Sequence, residues 1–141
     1  MSKINMGKVI LGGLIAGVVI NIGEFALNMG VLGGAWKEAM KALDRPPIGN
    51  ESAVFFVLLC FGLGILGVWT YAAIRPRFGA GPTTAICAGL LVWSLAVLYP
   101  SAGMIPMGLF PTKLILYAIV WDLVEIPLAV IAGAWVYREQ I

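Results

Sequence analysis

Four long stretches of this sequence carry almost no charge, and nothing else about the chain restricts its fold so tightly. They cover residues 8–29, 53–74, 83–99 (or from Pro82) and 113–137. Crossing roughly 30 Å of hydrocarbon at 1.5 Å per residue takes about 20 mostly apolar residues in a helix. Asp44-Arg45-Pro46-Pro47, Arg75-Pro76-Arg77 and Pro100-Ser101 separate the stretches and read as breaks. The third stretch is the shortest. The apolar segment 102–110 after it reads either as a helix extension or as a loop lying in the interface.

Composition leads to the same place. Apolar residues make up 61% of the chain and charged ones 11%, against about 45–50% and 25% in soluble domains. A soluble fold of this length has no means of hiding that much apolar surface. The first stretch is too long for the apolar region of a cleaved leader and contains Asn21 and Glu24, so it reads as a span. The expected fold is all-α: one polytopic membrane domain over residues 1–141, built as a bundle of four transmembrane helices.

Several chemistries drop out. A net charge of +2 without a basic run gives no reason to expect a nucleic-acid partner. The absence of histidine removes bis-His haem, most catalytic zinc and copper sites, and imidazole acid–base catalysis. Cys60 and Cys87 stand apart in apolar runs and read as small packing residues. No nucleophile–base pair is visible, so no catalytic residue, no metal centre and no cofactor is expected.

Lys and Arg in the short loops set orientation. With both termini inside, Lys3, Lys8, Arg75, Arg77 and Arg138 are cytoplasmic; Lys37, Lys41, Arg45 and Lys113 are outside, mixed with Glu38, Asp44 and Glu51. The compact Arg75-Pro76-Arg77 favours that arrangement in a bacterial cytoplasmic membrane. Trp69 and Tyr71 close the second span as Trp135 and Tyr137 close the fourth, matching the interfacial preference of amphipathic rings. The shared Gly-x-Trp-x-Tyr pattern is what two hairpins related by duplication would leave, and also what two converging interface anchors would leave. Between the first two spans, Trp36, Ala39, Met40 and Leu43 fall at i, i+3, i+4 and i+7, with Lys37, Glu38, Lys41 and Asp44 on the other face. That is a short amphipathic helix stopped by Pro46-Pro47, suited to the headgroup layer or to a lid over the bundle.

Chemistry, if there is any, lies with polar groups inside the spans. An ionisable side chain at mid-bilayer costs about 2.5–3.5 kcal/mol, and Glu24, Asp122 and Glu125 are the three present, with no Lys or Arg mid-span to neutralise them. Gly13, Gly17, Asn21, Glu24 and Asn28 share one face of the first helix; Ala118, Asp122, Glu125, Ala129 and Ala132 share one face of the fourth. Small residues permit close backbone approach, so the expected packing sets the first helix against the fourth with the acids facing each other. Glu24, Asp122 and Glu125, with Asn21 and Asn28, are therefore candidate proton or cation ligands. The same acids also fit a structural role, bonded to Asn21, Asn28, Ser94 or one another as interhelical glue, or a role facing a partner subunit. Met104 and Met107 offer two thioethers but no His or Cys beside them, and read as interfacial packing. Pro127, two residues after Glu125, should free a carbonyl one turn earlier and kink the fourth helix.

The segment Asn21-Ile22-Gly23-Glu24-Phe25, with Asn28 and the Gly33-Gly34-Ala35-Trp36 entry to the amphipathic helix, resembles bacterial four-helix membrane proteins of unknown function. That resemblance implies a fold and no activity. A glutamate in the first of four spans is also similar in outline to the small multidrug-resistance exporters, in which Glu24 would take the proton- and cation-binding role. The long first outer loop and the two acids on the last helix depart from that pattern. The functional expectation is a small membrane protein handling protons or a small cation. The alternative is an accessory subunit docking another membrane protein; homo-oligomers fit either.

Overall fold

The structure, a computed structural model, describes residues 3–139. Its elements are α1 (Met6–Phe25), α2 (Gly33–Ala42), α3 (Asn50–Phe78), α4 (Pro82–Trp93), α5 (Tyr99–Met104) and α6 (Thr112–Ala134). Four rods within this order are long and apolar enough to cross a membrane: Met6–Val31, Asn50–Phe78, Pro82–Met107 and Thr112–Ala134. The first is α1 prolonged by a π-helical segment, Ala26–Val31; the third joins α4 to α5 and a 3₁₀ turn through a second π-helical segment, Ser94–Leu98.

Local chemistry explains the ends. The Asn5 side chain caps α1 by accepting from the Lys8 N–H at 3.2 Å. Pro82 opens α4 at a position where its missing N–H costs nothing. Two expected breaks are not breaks. Arg75-Pro76-Arg77 forms the last turn of α3 rather than a loop, and the helix stops only at Gly79, whose φ of 87° is easy for glycine and whose N–H reaches the Arg75 carbonyl at 2.8 Å. Pro100-Ser101 lies within the third rod, so segment 102–110 begins as a helix extension. Proline lacks the N–H for the carbonyl one turn back and crowds that carbonyl, and the wider π-helical coil just before Pro100 accommodates both defects.

The amphipathic segment is a helix, and its faces divide as the periodicity predicts. Ala39 is buried and Trp36, Met40 and Leu43 are half-buried, whereas Lys37, Glu38, Lys41 and Asp44 are exposed. Its stop comes earlier than Pro46-Pro47. Asp44 takes the left-handed conformation (φ 53°), and the Arg45 and Asp44 N–H groups return to the Met40 and Lys41 carbonyls. This is a Schellman ending with aspartate in the place usually held by glycine.

The four rods pack as two hairpins, α1–α3 and α4–α6, that touch through α1–α6, α3–α4 and a central α3–α6 contact. Exchanging the hairpins maps these contacts onto themselves. Gly17 of α1 lies on Phe61 of α3 as Gly89 of α4 lies on Pro127 of α6. Ala16 and Ala88 are both fully buried. Across the centre, Gly67 faces Val130 and Gly133 faces Val68. The paired Gly-x-Trp-x-Tyr segments share this relation, but only their tryptophans point outward. Tyr71 and Tyr137 are buried edge to face, centroids 5.9 Å apart, and the Tyr137 hydroxyl accepts from the Asn5 N–H. Residues two apart on a helix point nearly opposite ways, as Trp69 and Tyr71 do on α3, and the turn that follows α6 separates Trp135 from Tyr137 to the same effect.

One packing expectation is corrected. Gly13 and Gly17 do not receive the last helix; they receive α3, and a Cβ at Gly64 would overlap the α1 backbone at both glycines. The α1–α6 contact uses Gly12 instead, set directly on Gly133. Neighbouring glycines on α1 thus serve two partners. Replacing Gly64 with valine should force α1 and α3 apart and lower stability by about 1–3 kcal/mol, the usual cost of overpacking. Gly62→Ala, where nothing lies near the added methyl, should be neutral or slightly stabilising. Thermal unfolding in detergent compares the two, and equal effects would show that the contact does not hold the hairpin.

Candidate functional site

The Gly12–Gly133 contact fixes the height at which α1 runs past α6, and one acid of α1 meets two of α6. Glu24, Asp122 and Glu125 each offer a carboxylate oxygen, and these oxygens all lie within 4.8 Å of one another. Glu24 and Asp122 are half-buried, while Glu125 is only 7% exposed. The acids on α6 stand three residues apart and so share its inward face.

Gly23 makes room for them. A Cβ there would overlap the Glu125 carboxylate, so that carboxylate rests against the bare backbone of α1. The functional reading of the sequence missed this residue. Its signal was a glycine beside the glutamate of the first apolar stretch, off the small-residue stripe.

Donors are scarce. Asn28 Nδ2 donates to Glu24 Oε2 at 2.7 Å and to the Glu24 carbonyl at 3.0 Å. Both carboxylate oxygens of Glu125 and Oδ1 of Asp122 are buried without a hydrogen-bond partner. Among the described residues the ion pair within reach is Arg75–Glu139, 4.0 Å apart and beside the Tyr71–Tyr137 pair, so it brings no cation to the acids.

The other candidates separate from the cluster. Asn21 turns towards α3: its amide donates to the Gly17 carbonyl at 2.8 Å and the Val57 carbonyl at 3.4 Å. Ser94 donates to the Leu90 carbonyl of its own rod. Pro127 is buried against Gly89, and α6 continues unbroken past it. Met107 is exposed and Met104 half-buried at the 3₁₀ turn. Cys60 and Cys87 are free thiols.

The cluster has a roof. Leu32 and Ala39 are buried with Leu27 and Leu114, and Trp36, Phe110 and Ala118 pack around them. Leu27 and Ala118 lie one turn from Glu24 and Asp122 respectively, so α2 closes the end of the α1–α6 groove next to the acids. The Trp36 indole N–H donates to Asn28 Oδ1 at 2.8 Å, a link the periodicity of α2 did not reveal.

No protein-family model, no curated protein and no solved structure matches the chain. The site therefore stands on its own geometry. Buried acceptors without donors are costly, about 1–3 kcal/mol each. Glu125→Gln keeps the shape and brings an N–H₂ group within reach of the neighbouring acids. Without added cations at neutral pH it should raise the thermal midpoint above that of the wild type. A lower midpoint would mean that the carboxylate is part of a satisfied structural network.

Proposed function

We propose that this chain is a small multi-pass membrane protein that binds and exchanges protons or a small cation at Glu24, Asp122 and Glu125. One observation carries the reading: three carboxylates converge within 4.8 Å, and Glu125, almost wholly buried, has no donor on either oxygen. At an effective dielectric near 20, unit charges that close repel by roughly 3–4 kcal/mol per pair. Three bare charges would repel strongly, and a bound proton or cation relieves that repulsion. Asn28 supplies an amide beside the acids; Asn21, turned to α3, is left out of the proposed ligand set.

In this reading the four rods span a bacterial cytoplasmic membrane with both termini inside, and α2 lies at the outer interface. Two geometric facts support it. The N-terminal segment, Arg75 and Glu139 meet at one end of the bundle, and α2 packs at the other, on the start of α6. A second reading, an accessory subunit or homo-oligomer, draws on α3. Residues 50–59 of that helix are exposed on every side, Phe55, Phe56 and Leu58 among them. A partner helix fits there as well as lipid does.

Purified chain reconstituted in liposomes should conduct a cation in a pH-dependent manner, and Glu24→Gln should abolish the flux without unfolding the protein. A wild type that is stable only with a co-purified partner, and silent alone, would favour the accessory reading. For topology, a cysteine at Lys41 should react with impermeant maleimide in intact cells and one at Arg77 should not; the reverse pattern would invert the orientation.

A further inference from the structure

We propose that α2 is a gate on the carboxylate cluster, operated through Trp36 and Asn28, and this rests on the cluster being a cation site as read above. The observation is a relay of two hydrogen bonds through three side chains: Trp36 Nε1 to Asn28 Oδ1 at 2.8 Å, and Asn28 Nδ2 to Glu24 Oε2 at 2.7 Å. An amide has an acceptor end and a donor end, whereas an indole N–H only donates. Trp36 therefore fixes which way Asn28 faces, together with the Glu24 carbonyl that also accepts from Nδ2 at 3.0 Å. With α2 seated, the amide oxygen is occupied by the indole and the N–H₂ group faces Glu24. An N–H₂ group pointing into a cation site opposes the cation, and an amide oxygen is a good ligand for one. Lifting Trp36 frees Asn28 to turn its oxygen towards the acids.

The surroundings of α2 suit such a movement. Ala39 is its one buried residue, and Trp36 holds it through the ring of Phe110, 5.7 Å away and edge to face. An exposed connection leads out of it to α3, and the π-helical segment Ala26–Val31, which contains Asn28, leads in. Few buried contacts place a segment at the low end of local stability. A π-helical segment is rare and recurs at functional sites, and rewinding it as α-helix would turn everything beyond it about the axis. The seated gate thus opposes cation binding, and cation binding favours the raised gate. Trp36 is a positioning residue here, acting on Glu24 through Asn28.

The relay predicts a sign that a packing role does not. Thermal midpoints are measured against sodium, potassium, magnesium and manganese chlorides for wild type, Trp36→Phe and Asn28→Ala, with fluorine NMR of fluorotryptophan-labelled protein alongside. The Trp36 resonance is identified as the one lost in Trp36→Phe. Phenylalanine retains an aromatic ring against Phe110 but lacks the N–H. The half-stabilising concentration of whichever salt protects the wild type should fall about fivefold in Trp36→Phe, the worth of one hydrogen bond. It should not fall when Asn28→Ala is added to Trp36→Phe. In the wild type the Trp36 resonance should move with the same midpoint as the stabilisation, and in Glu24→Gln it should stay still. If salts stabilise the protein while the Trp36 resonance is fixed, or if Trp36→Phe binds no tighter, the gate is refuted and the cation site stands. If neither salt nor pH affects the wild-type melts, the cation site falls and the gate with it.

Discussion

Where α1 meets its neighbours, no side chain separates the backbones. Gly12 rests on Gly133, and Gly13 and Gly17 rest on the Ile65 and Phe61 backbone with Gly64 fitted between them. Contacts this close gain dispersion along the whole helix face and permit weak Cα–H···O bonds. They also restrict sliding in height, because a shift of either helix would bring a side chain against backbone that only a glycine lets approach so closely. The level at which Glu24 passes Asp122 and Glu125 is thus decided two and more turns away, by residues with no chemistry of their own. The Tyr71–Tyr137 pair clamps one end of this arrangement and the Leu27–Leu32–Ala39–Leu114 cluster closes the other.

Against that frame the acids are conspicuous for being badly served. Thr70, Ser94 and Trp93 each find a backbone carbonyl: Leu66, Leu90 and Ile119. Asn21 finds two. Three of the carboxylate oxygens at the cluster find nothing. Among the described residues the other buried side-chain atom without a partner is Nη1 of Arg75, so the local cost falls on charged groups and not on neutral ones.

Much of this was legible in the sequence. Hydropathy alone gives four rods, and the i, i+3, i+4, i+7 pattern gives α2 together with its two faces. The convergence of Glu24 on Asp122 and Glu125 was expected from small-residue stripes carrying acids and is found, although the α1 glycines that seat on α6 are not those of the stripe. Four features resisted. Pro76 and Pro100 look like punctuation in one dimension, yet a helix end and a π-helical coil absorb them. Gly13 and Gly17 show that a helix will pack closely without showing on what, and here the partner is α3. The bond from Trp36 to Asn28 joins an amphipathic helix to a spanning one through a turn whose π-helical winding leaves no mark in residue periodicity. Tyr71 and Tyr137 resemble interfacial anchors by type, yet both lie inward, Tyr71 on the face of α3 away from Trp69 and Tyr137 just past the turn that ends α6.

The fit of the Glu125 carboxylate against the bare backbone at Gly23 has a consequence for how this sequence can diverge. The two positions lie far apart in the chain but compete for one volume, so position 23 cannot enlarge while position 125 keeps its glutamate. A lineage that acquires alanine at position 23 must shorten or withdraw the side chain at 125, and one that replaces Glu125 with a smaller residue releases position 23 from glycine. Surface positions such as Gly30 and Gly34, with nothing near a Cβ, carry no such tie. Among descendants of this chain, a residue larger than glycine at position 23 should appear only beside a smaller residue at position 125.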